Sequence, residues 1–181
     1  MGEAGACSWM MTMTSARIRF SSIVAIGMLC APLVARAGEP PARIALLGFD
    51  LINSSLQPTS AEEKARLRKL EDQLREKLAA SGRYAVVAIA PELQQEIDTE
   101  ADIRNCNGCE RDFARQAGAD LAAWGTVQKV SNLILNINLY IENVETGDMA
   151  FVKSVDIRGN TDDSWQHGLS YMLRHYLLKP E

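Results

Sequence analysis

The chain has 181 residues, 47% of them hydrophobic and 23% charged, with 12 Gly and 6 Pro. This composition fits one ordinary globular domain and excludes a collagen-like, disordered or multi-pass membrane chain. A formal net charge of −4 argues against nucleic-acid binding, which draws on a basic surplus, and four Cys are too few for a disulfide-scaffold miniprotein.

Residues 1–37 have the order of a secretory signal peptide. Arg17 and Arg19 supply the positive region, Ile23 to Val34 the apolar run, and Ala35-Arg36-Ala37 the small-x-small cleavage pattern. The run is about a dozen residues, against roughly 20 for a spanning helix, so cleavage after Ala37 is expected and stable membrane insertion is not. The first dozen residues fit no part of a leader, and Met11 or Met13 is the expected true start. Cys30 follows Gly27-Met28-Leu29, which lacks the small residue that precedes a lipidated Cys. Export to the periplasm leaves a chain more acidic than the whole, because the leader carries Arg17, Arg19 and Arg36 against Glu3. It also leaves Cys106 and Cys109 in a compartment that permits disulfides.

Residues 38–42 read as a short lead-in, and 43–179 as one domain. Arg43 to Asp50 is a nearly continuous apolar run, as in a strand buried on both faces. Leu51 to Thr59 reads as a loop. Ser60 and Glu63 match a capping box, and Leu67, Leu70, Leu74 and Leu78 put one apolar stripe on a helix over 61–80. Gly82 supplies its left-handed end. Tyr84 to Ile89 is a second strand, and Pro91 opens a short helix to about residue 100. Asn105 to Cys109 is a turn before a helix over 110–117, which Gly118 ends. Leu121 to Val130, Leu133 to Val144 and Met149 to Ile157 form a meander of three strands. In the middle strand Leu133, Leu135, Ile137, Leu139 and Ile141 share one face, and Asn136, Asn138, Tyr140 and Glu142 the other. A last helix starts near Asp162 or Asp163, with Trp165, Leu169, Met172, Leu173 and Tyr176 on its apolar side. The expected fold is α/β (α+β): a mixed five-stranded sheet, order β-α-β-α-α-β-β-β-α, with helices packed mainly on one face.

Few residues offer chemistry. Cys106-Asn107-Gly108-Cys109 precedes a helix, where the helix end favours a reactive thiolate. The polar segment Thr99 to Asn105 in front of it is unlike the strand that precedes a thioredoxin motif. A structural disulfide between Cys106 and Cys109 is therefore favoured over a redox pair. A metal site is the third reading, short of ligands because zinc wants about four and only His167 and His175 remain. Asp50, Asp162 and Asp163 are candidate polar-site carboxylates, with turn and helix-capping roles as the plain alternative. The wet strand face of Asn136, Asn138 and Tyr140, with Trp124 beside it, is the candidate contact surface, with core or rim packing as the plain reading of Trp124. No nucleophile–base–stabiliser set, phosphate loop or cofactor motif is present in the sequence, and no catalytic residue is assigned.

Three segments carry a resemblance: Ile44-Ala45-Leu46-Leu47-Gly48-Phe49-Asp50, Gly118-Ala119-Asp120-Leu121-Ala122-Ala123-Trp124-Gly125, and Asn143-Val144-Glu145-Thr146-Gly147. Together they resemble the small envelope α/β domains of the TolB amino-terminal and curli-secretion lipoprotein type. Gln128 to Asn136 and Asp156 to Trp165 are also similar to a proteobacterial family of short exported proteins of unknown function. The resemblance implies a periplasmic, non-catalytic module that binds an envelope protein. The alternatives left open are a thiol-disulfide protein using Cys106 and Cys109, and a metal carrier.

Overall fold

The structure, a computed structural model, describes residues 40–99 and 103–179. The leader, its cleavage site and the alternative starts lie outside these residues. Five strands and four helices follow in chain order: β1 (Ala42–Asn53), α1 (Ala61–Ala80), β2 (Tyr84–Val86), α2 (Pro91–Thr99), α3 (Cys109–Gln116), β3 (Leu121–Lys129), β4 (Leu135–Asn143), β5 (Met149–Ile157) and α4 (Asp162–Met172). A 3-10 turn (Ile103–Asn105) precedes α3, and a π-helical turn (Leu173–Leu177) prolongs α4. Among the described residues no helix is long and apolar enough to cross a membrane.

The sheet is mixed, with strand order β2-β1-β3-β4-β5. β1 pairs in parallel with both β2 and β3, and β3, β4 and β5 form an antiparallel meander. The two parallel crossovers, β1 to β2 and β2 to β3, run in opposite directions along the sheet, so crossovers of one hand place their helices on opposite faces. The longer helices, α1 and α4, cover one face. Leu70, Leu74 and Leu78 of α1 and Trp165, Leu169 and Met172 of α4 pack there on Ile44, Leu46, Val127 and Ile137. Each fully buried leucine contributes roughly 1.5–3 kcal/mol. The short α2 and α3 cover part of the other face, where Leu93, Ile97 and Phe113 pack on Ala45, Leu47, Ala122 and Trp124. The Ile44–Leu47 run of β1 is apolar because both of its faces are covered.

α1 runs from Ala61 to Ala80, with Ser60 Oγ accepting from Glu63 N and Glu63 Oε2 accepting from Ser60 N at 2.8 Å. β1 is longer than its apolar run suggests. A bulge at Gly48 (φ +99°) shifts the register between Leu46 and Phe49, and pairing with β3 then continues to Asn53. Asp50 is therefore a mid-strand residue opposite Thr126 and not a turn former. The turn is made by Asn53, whose Oδ1 accepts from Ser55 N at 3.0 Å and whose Nδ2 donates to Gln57 O at 2.7 Å. Phe49 then lies across Gly125, where an added Cβ would come within 2.1 Å of the ring. β2 stops at Val86, and β4 begins at Leu135, which leaves Leu133 exposed in the hairpin.

Candidate functional site

The strand order reverses at β1, so the carboxyl ends of β1 and β3 form the crevice where α/β sheets hold ligands. Three connections meet there: the β1–α1 loop, the β3–β4 hairpin and the β5–α4 loop. They line a cavity of about 720 Å³ that includes Gln57, Glu63, Lys129, Asn132, Leu133 and Asn160.

Its floor is a buried ion pair. Lys129 ends β3 with its side chain turned towards α1, and its Nζ donates to Glu63 Oε1 at 2.6 Å. Both side chains are 2% exposed. Asn160 Nδ2 also donates to Glu63 Oε1 at 2.6 Å. Burial pushes the Glu63 carboxyl up, but the hydrogen bonds from Lys129, the Ser60 amide and Asn160 together outweigh it and hold the carboxyl below its ordinary value. The ammonium of Lys129 is committed to this carboxylate and serves as a counter-charge, which is a different role from that of a nucleophilic lysine.

Polar side chains tie the three connections together. Asn160 Nδ2 donates to Asn132 Oδ1 at 3.1 Å, and Asn132 Nδ2 to Gln57 Oε1 at 2.8 Å. Arg66 reaches both Asn160 Oδ1 (3.1 Å) and Asp162 Oδ1 (2.7 Å), and Lys69 joins it on Asp162. Above this polar frame stand apolar tips. Leu56 is 106% exposed, Leu133 74%, Ile134 62% and Val130 50%. Four large aliphatic groups thus face solvent on two hydrogen-bonded loops.

The polar face of β4 adjoins the hairpin. Asn136 stands opposite Gln128 and Asp156, and Asn138 opposite Thr126 and Ser154. Asn138 Nδ2 donates to Thr126 Oγ1 (3.0 Å) and Asn136 Oδ1 (2.8 Å). Asn136, Asn138 and Tyr140 are half-buried. Trp124 takes the packing role and not the contact-surface one: it is 7% exposed, stacked on Tyr140 with centroids 5.4 Å apart, and packed in the core under α2 and α3. The short helices cover this end of the face and turn the indole into packing.

The three candidate carboxylates are not gathered into one site. Asp50 lines a separate cavity of about 330 Å³ at the edge of β1, with Lys64, Arg68 and Asp98. Asp162 opens α4, but Thr161 is the N-cap, accepting from Ser164 N at 3.2 Å. Hydrogen bonds from Lys69 and then Arg66 hold the Asp162 carboxyl below its usual range. Asp163 is exposed in the same first turn. Arg43 grips Asp120 through Nε (3.0 Å) and Nη2 (2.6 Å), pinning the start of β1 to that of β3.

Cys106 and Cys109 are joined in a disulfide ahead of α3, with Cα atoms 5.5 Å apart. Asn107 (φ +56°) and Gly108 (φ +115°) make the tight turn between them. Glu110 Oε2 lies 3.3 Å from Cys106 Sγ. Glu142 of β4, 6% exposed, has its carboxyl beside that of Glu110. Burial, and then Glu110, push the Glu142 carboxyl up, while Arg111 pulls the other way. His167 and His175 are exposed on the α4 side of the sheet, away from these cysteines. Sequence reading missed both Lys129 and Glu142. For Lys129 the one available signal was a charged residue breaking an apolar alternation, whereas Glu142 fell in a polar row with no local sign of its burial.

The DUF3280 family, described as "Protein of unknown function (DUF2380)", matches residues 42–177, as the sequence leads one to expect. No curated protein matches the chain. Several solved structures are similar in fold. The LpoB C-terminal domain from Salmonella enterica is 15% identical, with a TM-score of 0.49 over 68% of this chain and 87% of that one. Lipoprotein GNA1162 from Neisseria meningitidis is 17% identical, with a TM-score of 0.49 over 74% and 91%. TolB from Acinetobacter baumannii is 11% identical, with a TM-score of 0.40 over 74% of this chain and 28% of that one.

Proposed function

The chain belongs to the DUF3280 family, and we propose that this member is an exported, non-catalytic binding module that docks an envelope protein at the carboxyl end of its sheet. The observation that carries this reading is the exposure of Leu56, Val130, Leu133 and Ile134 on two loops joined by the Asn132–Gln57 hydrogen bond. Leaving four large aliphatic side chains in water is unfavourable, and contiguous apolar groups rimmed by polar ones mark contact sites. The frame beneath them is fixed by the Lys129–Glu63 pair and the Asn132–Gln57 link, so the loops are presented in one geometry. The polar row of Gln128, Asn136 and Asp156 extends the surface onto the open sheet face.

Site-specific photo-crosslinking tests the reading. A probe at Leu133 in the exported chain should give one discrete protein adduct at native expression, and Ile134→Ser should abolish it. A probe at the exposed Glu76 of α1 should not give it. The same adducts from both positions, or none from Leu133, would sink the docking assignment. Amino-terminal sequencing of the exported protein should begin at Gly38, and an intact leader on the mature protein would refute that part.

A further inference from the structure

We propose that Cys106 and Cys109, once reduced, form with Glu110 and Glu142 a site for a thiophilic divalent cation of the zinc class. One ligand atom each from Cys106, Cys109 and Glu110 lies within 4.8 Å of the others. Ligands at about 2.0–2.3 Å from a tetrahedral zinc are themselves roughly 3–4 Å apart, so small side-chain shifts close the set. The turn through Asn107 and Gly108 fixes the two sulfurs on one side of the α3 amino terminus.

The fourth ligand comes from another element: Glu142 stands outside that trio and adjoins it through Glu110. Glu142 is nearly inaccessible, its carboxyl abuts that of Glu110, and its Oε2 has no hydrogen-bond partner. Arg111 does not complete it: its Nε stands 3.6 Å from Glu142 Oε1 and is likewise without a partner. A cation between the two carboxylates would satisfy the orphaned oxygen and remove the like-charge contact. Two thiolates with two carboxylates make four protein ligands, and the thiolates select zinc-class ions over magnesium or calcium.

The chemistry balances simply. An external dithiol reduces the disulfide, giving two thiols and its own disulfide. The cation then replaces the two thiol protons, which go to solvent. Oxidation withdraws both sulfurs, so the site is open only in the reduced chain.

The test is a cobalt titration of the full chain, reduced with a phosphine under anaerobic conditions. One Co²⁺ per chain should bind with a thiolate-to-cobalt charge-transfer band and tetrahedral visible absorption, and one Zn²⁺ should bleach it. Cys109→Ser should abolish the band. Glu142→Gln and Glu142→Asp should each weaken binding at least tenfold while leaving the metal-free urea midpoint and circular dichroism close to wild type. The His167→Ala/His175→Ala variant should bind as wild type. Absence of a stoichiometric band in the reduced chain overturns the proposal. So does full-strength binding by both Glu142 variants, which would leave a dithiol chelate without the carboxylates.

Discussion

Lys129→Met removes one charge from the floor of the crevice while keeping most of the side-chain volume. Glu63 is then left 2% exposed, with only the Ser60 amide and Asn160 as donors. Breaking a buried pair from one side costs roughly 3–5 kcal/mol, because the remaining charge is uncompensated. A chain of this size shifts by about 2–4 °C per kcal/mol, so Tm should fall by about 6–20 °C. Glu63→Gln/Lys129→Met removes both charges and keeps an acceptor for the Ser60 amide. It should return to within about 1 kcal/mol of wild type, since replacing both members of a buried pair is often neutral. Urea unfolding followed by tryptophan fluorescence reads the change, as Trp124 and Trp165 report the two faces of the sheet. A Lys129→Met loss under about 1 kcal/mol, or a double variant no better than the single, would show that the two groups are not energetically coupled.

Three further outcomes are expected. Gly168→Ala would place a Cβ 2.3 Å from Ile157 Cγ2, and should lower stability by about 1–3 kcal/mol in the same urea assay. Reducing the disulfide, which joins positions three apart, should cost about 2 kcal/mol by the loop-entropy estimate, read as a urea midpoint with and without phosphine. Glu63, Asp120 and Asp162 all have carboxyls held below their ordinary values, so their stabilisation is complete above the carboxylate range and is lost as pH falls through it. Thermal scans from pH 6 to pH 3 should show Tm falling in wild type and falling less steeply in Glu63→Gln/Lys129→Met.

The elements with a strong local period were legible in the sequence. α1 has its capping box and leucine stripe, and its ends agree with the structure because both are written in adjacent residues. β5 was equally clear between its turn residues. Asp50 was misread because a one-residue bulge at Gly48 breaks the alternation and hides three more strand residues. Glu63 was legible as a cap but not as a counter-charge, since its partner lies 66 positions away. Glu142 was placed on the polar face, yet its burial depends on α3, which no local pattern in β4 reveals. The site residues that escaped are those defined by tertiary neighbours alone.

The central place of β1 bears on how the chain assembles. β3, β4 and β5 meet through short turns and can zip together locally. β1 has to join β3 across a separation of 77 positions, as the Arg43–Asp120 fork shows. Closing so long a loop is entropically slow. A chain emerging amino-terminus first therefore presents β1, apolar on both faces, well before the strand that shelters it exists. During that interval the edge of β1 that faces β3 is an unpaired adhesive edge of the kind that recruits other chains. The meander is the expected nucleus and β1 the late insertion, an order that pulse-labelled hydrogen exchange would read directly. A holding factor that covers β1 during synthesis would shorten that exposure.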